Sequence, residues 1–286
     1  MTMYAVASAT LAVPAHAASE ADRAGVMTPA RLAWESQLDW ESQDAGAAEG
    51  AAAGDASEDK SGTDPTKFLR SVRLTYEYAQ TPGDASVNTI ALAYVQPFAG
   101  QAMNLRFKLP VIATDLSGEQ EWGLGDFSVR YNWLAEITPA HAWLLGAELT
   151  ADTATEDAMG RGKWILSPLA TYAMFLSKSM IFAPTYQHNF SVAGDDARKD
   201  VHESVFDFYF VYTAEDKQSW VTVDPTLGVD WEGDQDTPFT IEVQLGRRLG
   251  TLWGGAFNAY IQPGAGIGQD RPYDWNIEIG VNVTGF

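Results

Sequence analysis

From Phe68 to the end of the chain, hydrophobic and polar residues alternate with a period of two. Val221, Val223, Pro225, Leu227, Val229 and Trp231 are interleaved with Thr222, Asp224, Thr226, Gly228 and Asp230. The same alternation runs through Leu105 to Leu109, Phe127 to Trp133, Trp143 to Leu149, Phe206 to Tyr212, Phe239 to Leu245 and Trp275 to Val283. Successive side chains of a strand point to opposite faces, so each segment has one face in an apolar medium and one in a polar medium. The pattern predicts about twelve strands, each near the ~9–11 residues that carry a strand across a bilayer.

The connections decide between a soluble sandwich and a membrane barrel. Short links at 98–101, 138–140, 177–179, 215–218 and 250–254 alternate with mostly longer polar links at 79–85, 115–124, 153–163, 192–202, 232–237 and 264–272. Outer-membrane barrels sort their connections this way, with tight periplasmic turns and longer outer loops. A sandwich with crossing connections has no reason to. Trp133, Trp143, Trp164, Trp220, Trp231, Trp253 and Trp275 fall near strand ends, where an indole meets the membrane interface. Trp220 alone breaks the outward parity of its strand. The expected fold is therefore all-β: a transmembrane antiparallel up-and-down β-barrel over residues 67–286.

Upstream the pattern changes. Residues 1–17 form a short apolar run ending in Ala15-His16-Ala17, which predicts a secretory signal peptide, though the usual basic residue near its start is missing. Residues 18–66 are rich in Ala, Gly, Ser, Asp and Glu and are expected to form a flexible acidic segment. Leu32, Trp34, Leu38 and Trp40 give residues 29–43 a partial stripe for a short helix, either transient in a linker or seated as a plug or at the membrane surface. Export places the chain in the outer membrane of a Gram-negative envelope, with lipids and the barrel-assembly machinery as expected partners.

Composition narrows the function classes. The formal net charge of -20 over 286 residues argues against nucleic acid, which needs a basic surface. With no cysteine there is neither a disulfide nor a thiolate metal site. No phosphate loop, dinucleotide fingerprint or zinc spacing occurs, so neither cofactor nor metal is expected. Gly123-Leu124-Gly125 leads into a strand, not the helix that a nucleotide-binding turn requires.

Gly123-Leu124-Gly125-Asp126 leading into Val129-Arg130-Tyr131 resembles the hairpin of the outer-membrane family of meta-pathway phenol-degradation transporters. Gly162-Lys163-Trp164-Ile165-Leu166-Ser167-Pro168, the mid-strand prolines Pro184 and Pro225 and the terminal Phe286 resemble it too. The resemblance covers residues 68–286. It implies a porin-like barrel of this size that passes small aromatic or apolar compounds. Phe286 is out of phase with Ile277 to Val283, so either Gly285 resets the phase with a small bulge or the terminal assembly signal is weak. Pro168, Pro184, Pro225 and Pro263 each remove a ladder hydrogen bond on the lipid-facing parity, where bulges or bends are expected.

The candidate chemistry lies on the inward parity. Arg73, Arg106, Lys108, Arg130, Glu148, Asp207, Asp224, Glu242 and Glu278 are expected to line the pore, with Glu77 and Arg248 on the same parity. Basic members cluster on early strands and acidic ones mostly on later strands. They form either a transverse field that selects solutes or paired charges that fill a tight lumen. The expected function is passive, non-enzymatic passage of small molecules. A phospholipase-type hydrolase centred on His188 is an alternative, but no serine stands near it in sequence except Ser191, on the opposite face. A structural or adhesive barrel whose acidic outer loops (Asp195-Asp196, Asp234-Gln235-Asp236) bind ions is another.

Overall fold

A computed structural model describes residues 60–232 and 235–286. The expected signal peptide and the helix at 29–43 lie outside the described residues, as does Asp234. The strands are β1 (Ser71–Gln80), β2 (Ser86–Phe98), β3 (Met103–Thr114), β4 (Glu121–Leu124), β5 (Ser128–Ile137), β6 (His141–Thr150), β7 (Lys163–Ser177), β8 (Met180–Gly194), β9 (His202–Thr213), β10 (Ser219–Asp230), β11 (Phe239–Leu252), β12 (Gly255–Ile267) and β13 (Trp275–Thr284).

Apart from β4, which pairs only with β3, each strand pairs antiparallel with the next in sequence, β3 with β5, and β13 pairs with β1 from Gln80↔Trp275 to Ser71↔Thr284. The sheet is thereby closed into a ring of twelve strands, with β4 as an additional short strand continuing the line of β5 along β3. Closure matters physically because an open edge in hydrocarbon would leave backbone groups without partners. The links 99–102, 138–140, 178–179, 214–218 and 253–254 lie at one end, and the loops 81–85, 115–120, 151–162, 195–201, 231–238 and 268–274 at the other. By the architecture of such barrels, the first end is periplasmic and the second extracellular.

The alternation reads directly as inside and outside. Leu74, Ile90, Leu92, Leu145, Leu149, Leu245 and Ile279 are exposed, while the residues between them are buried in the lumen. So large an apolar belt would drive aggregation in water, but in lipid it is the surface a barrel requires. Trp143, Trp164, Trp231, Trp253 and Trp275 are exposed near strand ends, whereas Trp133, expected there too, is exposed in the middle of β5. Trp220 is 4% exposed and points inward, as its parity indicated. It lies over Gly246, where any side chain would occupy the space of the indole.

The prolines behave differently from expectation. Pairing lapses beside each of them, as between Leu166↔Phe190 and Leu169↔Gln187 around Pro168, and between Val223↔Phe210 and Thr226↔Asp207 around Pro225. Register is the same on both sides of each lapse, so no bulge forms there. The register shifts fall elsewhere, at Leu134/Glu136, Trp164/Ile165, Phe175/Ser177 and Arg248/Gly250. A missing N–H breaks a bond without adding a residue, and only an added residue shifts phase. Gly285, with φ of 71°, provides the phase reset at the C-terminus and turns Phe286 onto Trp253, with ring centroids 6.0 Å apart.

Candidate functional site

The candidate site is the lumen, and its side chains form two hydrogen-bonded walls. On the first, Glu148 Oε2 accepts from Arg106 Nη2 at 2.9 Å and Arg130 Nε at 2.8 Å. Arg106↔Arg130 and Arg130↔Glu148 are direct cross-strand pairs, so one acid on β6 serves two guanidinium groups on β3 and β5. Arg130 Nη2 donates to Gln187 Oε1 (3.2 Å), and Gln187 Nε2 to Asn189 Oδ1 (2.7 Å). Asn189 Nδ2 reaches Glu203 Oε2 at 3.5 Å, and Arg161 grips Glu203 through both terminal nitrogens. A continuous polar chain thus runs from mid-lumen to the extracellular mouth.

The second wall carries acids held by neutral donors. Glu242 accepts from Gln262, from Asn276 and from Tyr273 Oη, the last at 2.7 Å. Asn276 also donates to Glu77 (3.1 Å), and Tyr260 Oη donates to Glu278 (2.6 Å). Trp220 Nε1 donates to Gln244 and Gln244 to Gln262, at 2.6 and 2.7 Å. Glu77 and Glu278 face each other directly across β1 and β13. Lys108 acts electrostatically on Glu77 and Glu148, and Arg73 on Glu278. The guanidinium of Arg73 lies 5.9 Å from the Tyr260 ring centroid.

Arg73, Arg106, Lys108, Arg130, Glu148, Asp207, Asp224, Glu242 and Glu278 all have buried side chains on the inward face. Arg248 is half-buried near a short turn, where its Nε meets Gly250 O. Amides that pattern reading did not single out complete the walls: Gln187, Asn189, Gln244, Gln262 and Asn276. Their inward parity was the available signal, but an uncharged residue is unremarkable until its partners are known.

The extracellular rim is organised by Asp126. Its carboxylate accepts from the backbone N–H of Thr153, Ala154 and Arg161, each at 3.0 Å. This fixes the 151–162 loop over the break between β4 and β5, where Thr155 and Met159 pack against Gly123. Burial disfavours the charged form of Arg161, but Glu203, Asp230 and Asp126 outweigh it and hold the guanidinium above its ordinary pKa. The Gly-Leu-Gly-Asp turn is therefore a rim-building device.

Residues 60–69 cross the periplasmic end of the lumen. Lys60 O accepts from Asn258 Nδ2 (3.1 Å) and Thr284 Oγ1 (2.5 Å), and Thr63 O from Tyr209 Oη (3.4 Å). Phe68 is fully buried among Leu134, Ala142, Leu144, Ala173, Ala183, Tyr209 and Val211 on β5–β9, the wall opposite the strand that it precedes.

On the outer face, His188 does have a serine in reach: Ser204 Oγ on β9 lies 3.1 Å from its Nδ1. Sixteen residues separate them in sequence, and only strand pairing joins them. Ser204 is 3% exposed and also bonded to Trp231 Nε1 and Tyr186 Oη. Asn189, the nearest amide in sequence, is turned into the lumen. A buried, multiply bonded hydroxyl without an orienting partner for the imidazole is poorly arranged as a nucleophile.

No family model matches the chain, and no curated protein matches it in sequence. Solved structures do. It is similar to the COG4313 outer membrane channel from Pseudomonas putida F1, with a TM-score of 0.61 and 13% identity over 82% of this chain and 100% of that one. It is similar to the NanC porin, with a TM-score of 0.51 and 12% identity over 76% and 99% of the two chains. The KdgM porin gives a TM-score of 0.50 and 13% identity over 74% and 98%. The fold is that of an outer-membrane β-barrel.

Proposed function

We propose that the protein is a passive, non-enzymatic channel of the outer membrane for small molecules, with the nine charged residues expected from the sequence lining its path. One observation carries the reading: an apolar outer belt surrounds a lumen lined by charged and amide side chains. This reading requires a path between the two walls, and solute leaving at the periplasmic end would have to pass residues 60–69. Aromatic or apolar compounds are the proposed solutes, on the resemblance of the Gly123–Asp126 hairpin to meta-pathway phenol transporters. Lipids and the barrel-assembly machinery are the proposed envelope partners.

The test is single-channel conductance and phenol uptake into liposomes, for the full chain and for a variant lacking residues 60–69. Low conductance that rises in the variant, with faster phenol uptake, is expected. A barrel that stays impermeable in both forms would falsify the channel reading. Lipid hydrolysis abolished by His188→Ala would point instead to the hydrolase.

A further inference from the structure

Two of the three histidines among the described residues meet on the outer face of the barrel, in a role the channel reading does not use. His188 on β8 and His202 on β9 are diagonal cross-strand neighbours, since His188 pairs with Ser204 and Phe190 with His202. Their ring centroids are 5.0 Å apart, edge to face. Metal–nitrogen bonds of about 2.0–2.1 Å place two rings on one ion about 4.5–5.2 Å apart, centre to centre, from square to tetrahedral angles. The backbone already sets that spacing, and an ion requires only that the rings turn. The His202 side chain is half exposed, and Glu232 Oε1 lies 3.9 Å from its Nδ1.

We propose that His188 and His202 form a binding site for a divalent transition-metal ion at the extracellular edge of the membrane, with Glu232 as the nearby oxygen donor. The groups that orient the His188 imidazole are in place. Ser204 Oγ is within hydrogen-bond distance of His188 Nδ1, Trp231 Nε1 and Tyr186 Oη, at 3.1, 3.0 and 3.2 Å. Ser204 can accept from the indole and from Nδ1–H while giving its own proton to Tyr186. That arrangement leaves a lone pair on His188 Nε2, the form that ligates metal. The reverse arrangement, with Ser204 donating to Nδ1, satisfies the same groups without an ion, so binding selects a tautomer and breaks no bond. Imidazole donors with open positions for water suit Cu²⁺, Ni²⁺ and Zn²⁺, with Cu²⁺ tightest. No trio of His, Cys, Asp or Glu ligands stands preformed among the described residues, so the site is a two-imidazole, exchangeable one. It is independent of what crosses the lumen.

The experiment is Cu²⁺ titration of the full chain in detergent micelles, read by calorimetry and by electron paramagnetic resonance. One ion per chain with a two-nitrogen hyperfine pattern is expected. His188→Ala and His202→Ala should each weaken binding at least tenfold, and His141→Ala should leave it unchanged. His202 is half exposed and outside both polar walls, so its variant decides the matter even if His188→Ala impairs folding. No saturable binding by the full chain, or undiminished binding by the His202 variant, overturns the proposal.

Discussion

The two walls of the lumen hold similar numbers of charges by different means. On the β3–β6 wall, Arg106 and Arg130 share the single carboxylate of Glu148 through bonds of 2.9 and 2.8 Å. On the β11–β1 wall, Glu77, Glu242 and Glu278 are held by amides and phenols, which satisfy lone pairs without cancelling charge. An acid shared by two guanidinium groups ties β3, β5 and β6 together through ion pairs. An acid held by neutral donors is tied through hydrogen bonds alone, and Arg73 of the same wall lies beside the Tyr260 ring. The first wall is thus held by ion pairs and the second by a network of neutral donors.

Breaking each wall separately tests this contrast. Glu148→Ala removes the carboxylate that two buried guanidinium groups share, and breaking such a pair costs about 3–5 kcal/mol. The expected result is a marked loss of urea resistance in micelles. Glu242→Gln keeps an acceptor among neutral donors, at a cost of about 1–3 kcal/mol for the displaced hydrogen bonds. Here urea resistance should change less than in Glu148→Ala. Equal losses of urea resistance in the two variants would remove the distinction.

Phe68→Ala probes a third region, the mouth. Truncating a fully buried phenylalanine costs on the order of 3 kcal/mol, and here the loss falls on docking of residues 60–69. Conductance should rise several-fold while barrel unfolding stays close to that of the parent. The smallest effect is expected at the rim, where hydrogen bonds from Lys163 and Ser191 hold the Asp200 carboxyl below its ordinary range. A depressed pKa stabilises the folded state above the unfolded value, and that contribution disappears as pH falls through the folded value. Proteolysis of the 195–201 loop should therefore quicken only under acid conditions, and Asp200→Asn should show the faster cleavage already at neutral pH.

Period-two alternation fixes which face of a strand is apolar, and closure follows because a lipid-facing sheet tolerates no edge. Strand pattern, link parity and the inward set of charges were accordingly legible before any fold was drawn. Even the inward turn of Trp220 was marked by its broken parity. Other features depended on which strands became neighbours and on how far each ladder was staggered. Sequence order does not show that Glu148 would serve two arginines, or that Ser204 would come beneath His188. Residues up to 66 read as a flexible segment and Phe68 as the start of the alternating pattern, because the cavity that buries Phe68 is assembled from five other strands. The sequence alone therefore determined a membrane barrel with a charged lumen, because face and span are local properties of a strand. Only the tertiary structure decided which charges pair, what crosses the periplasmic end of the lumen and where two histidines meet, because those are distances between segments far apart in the chain.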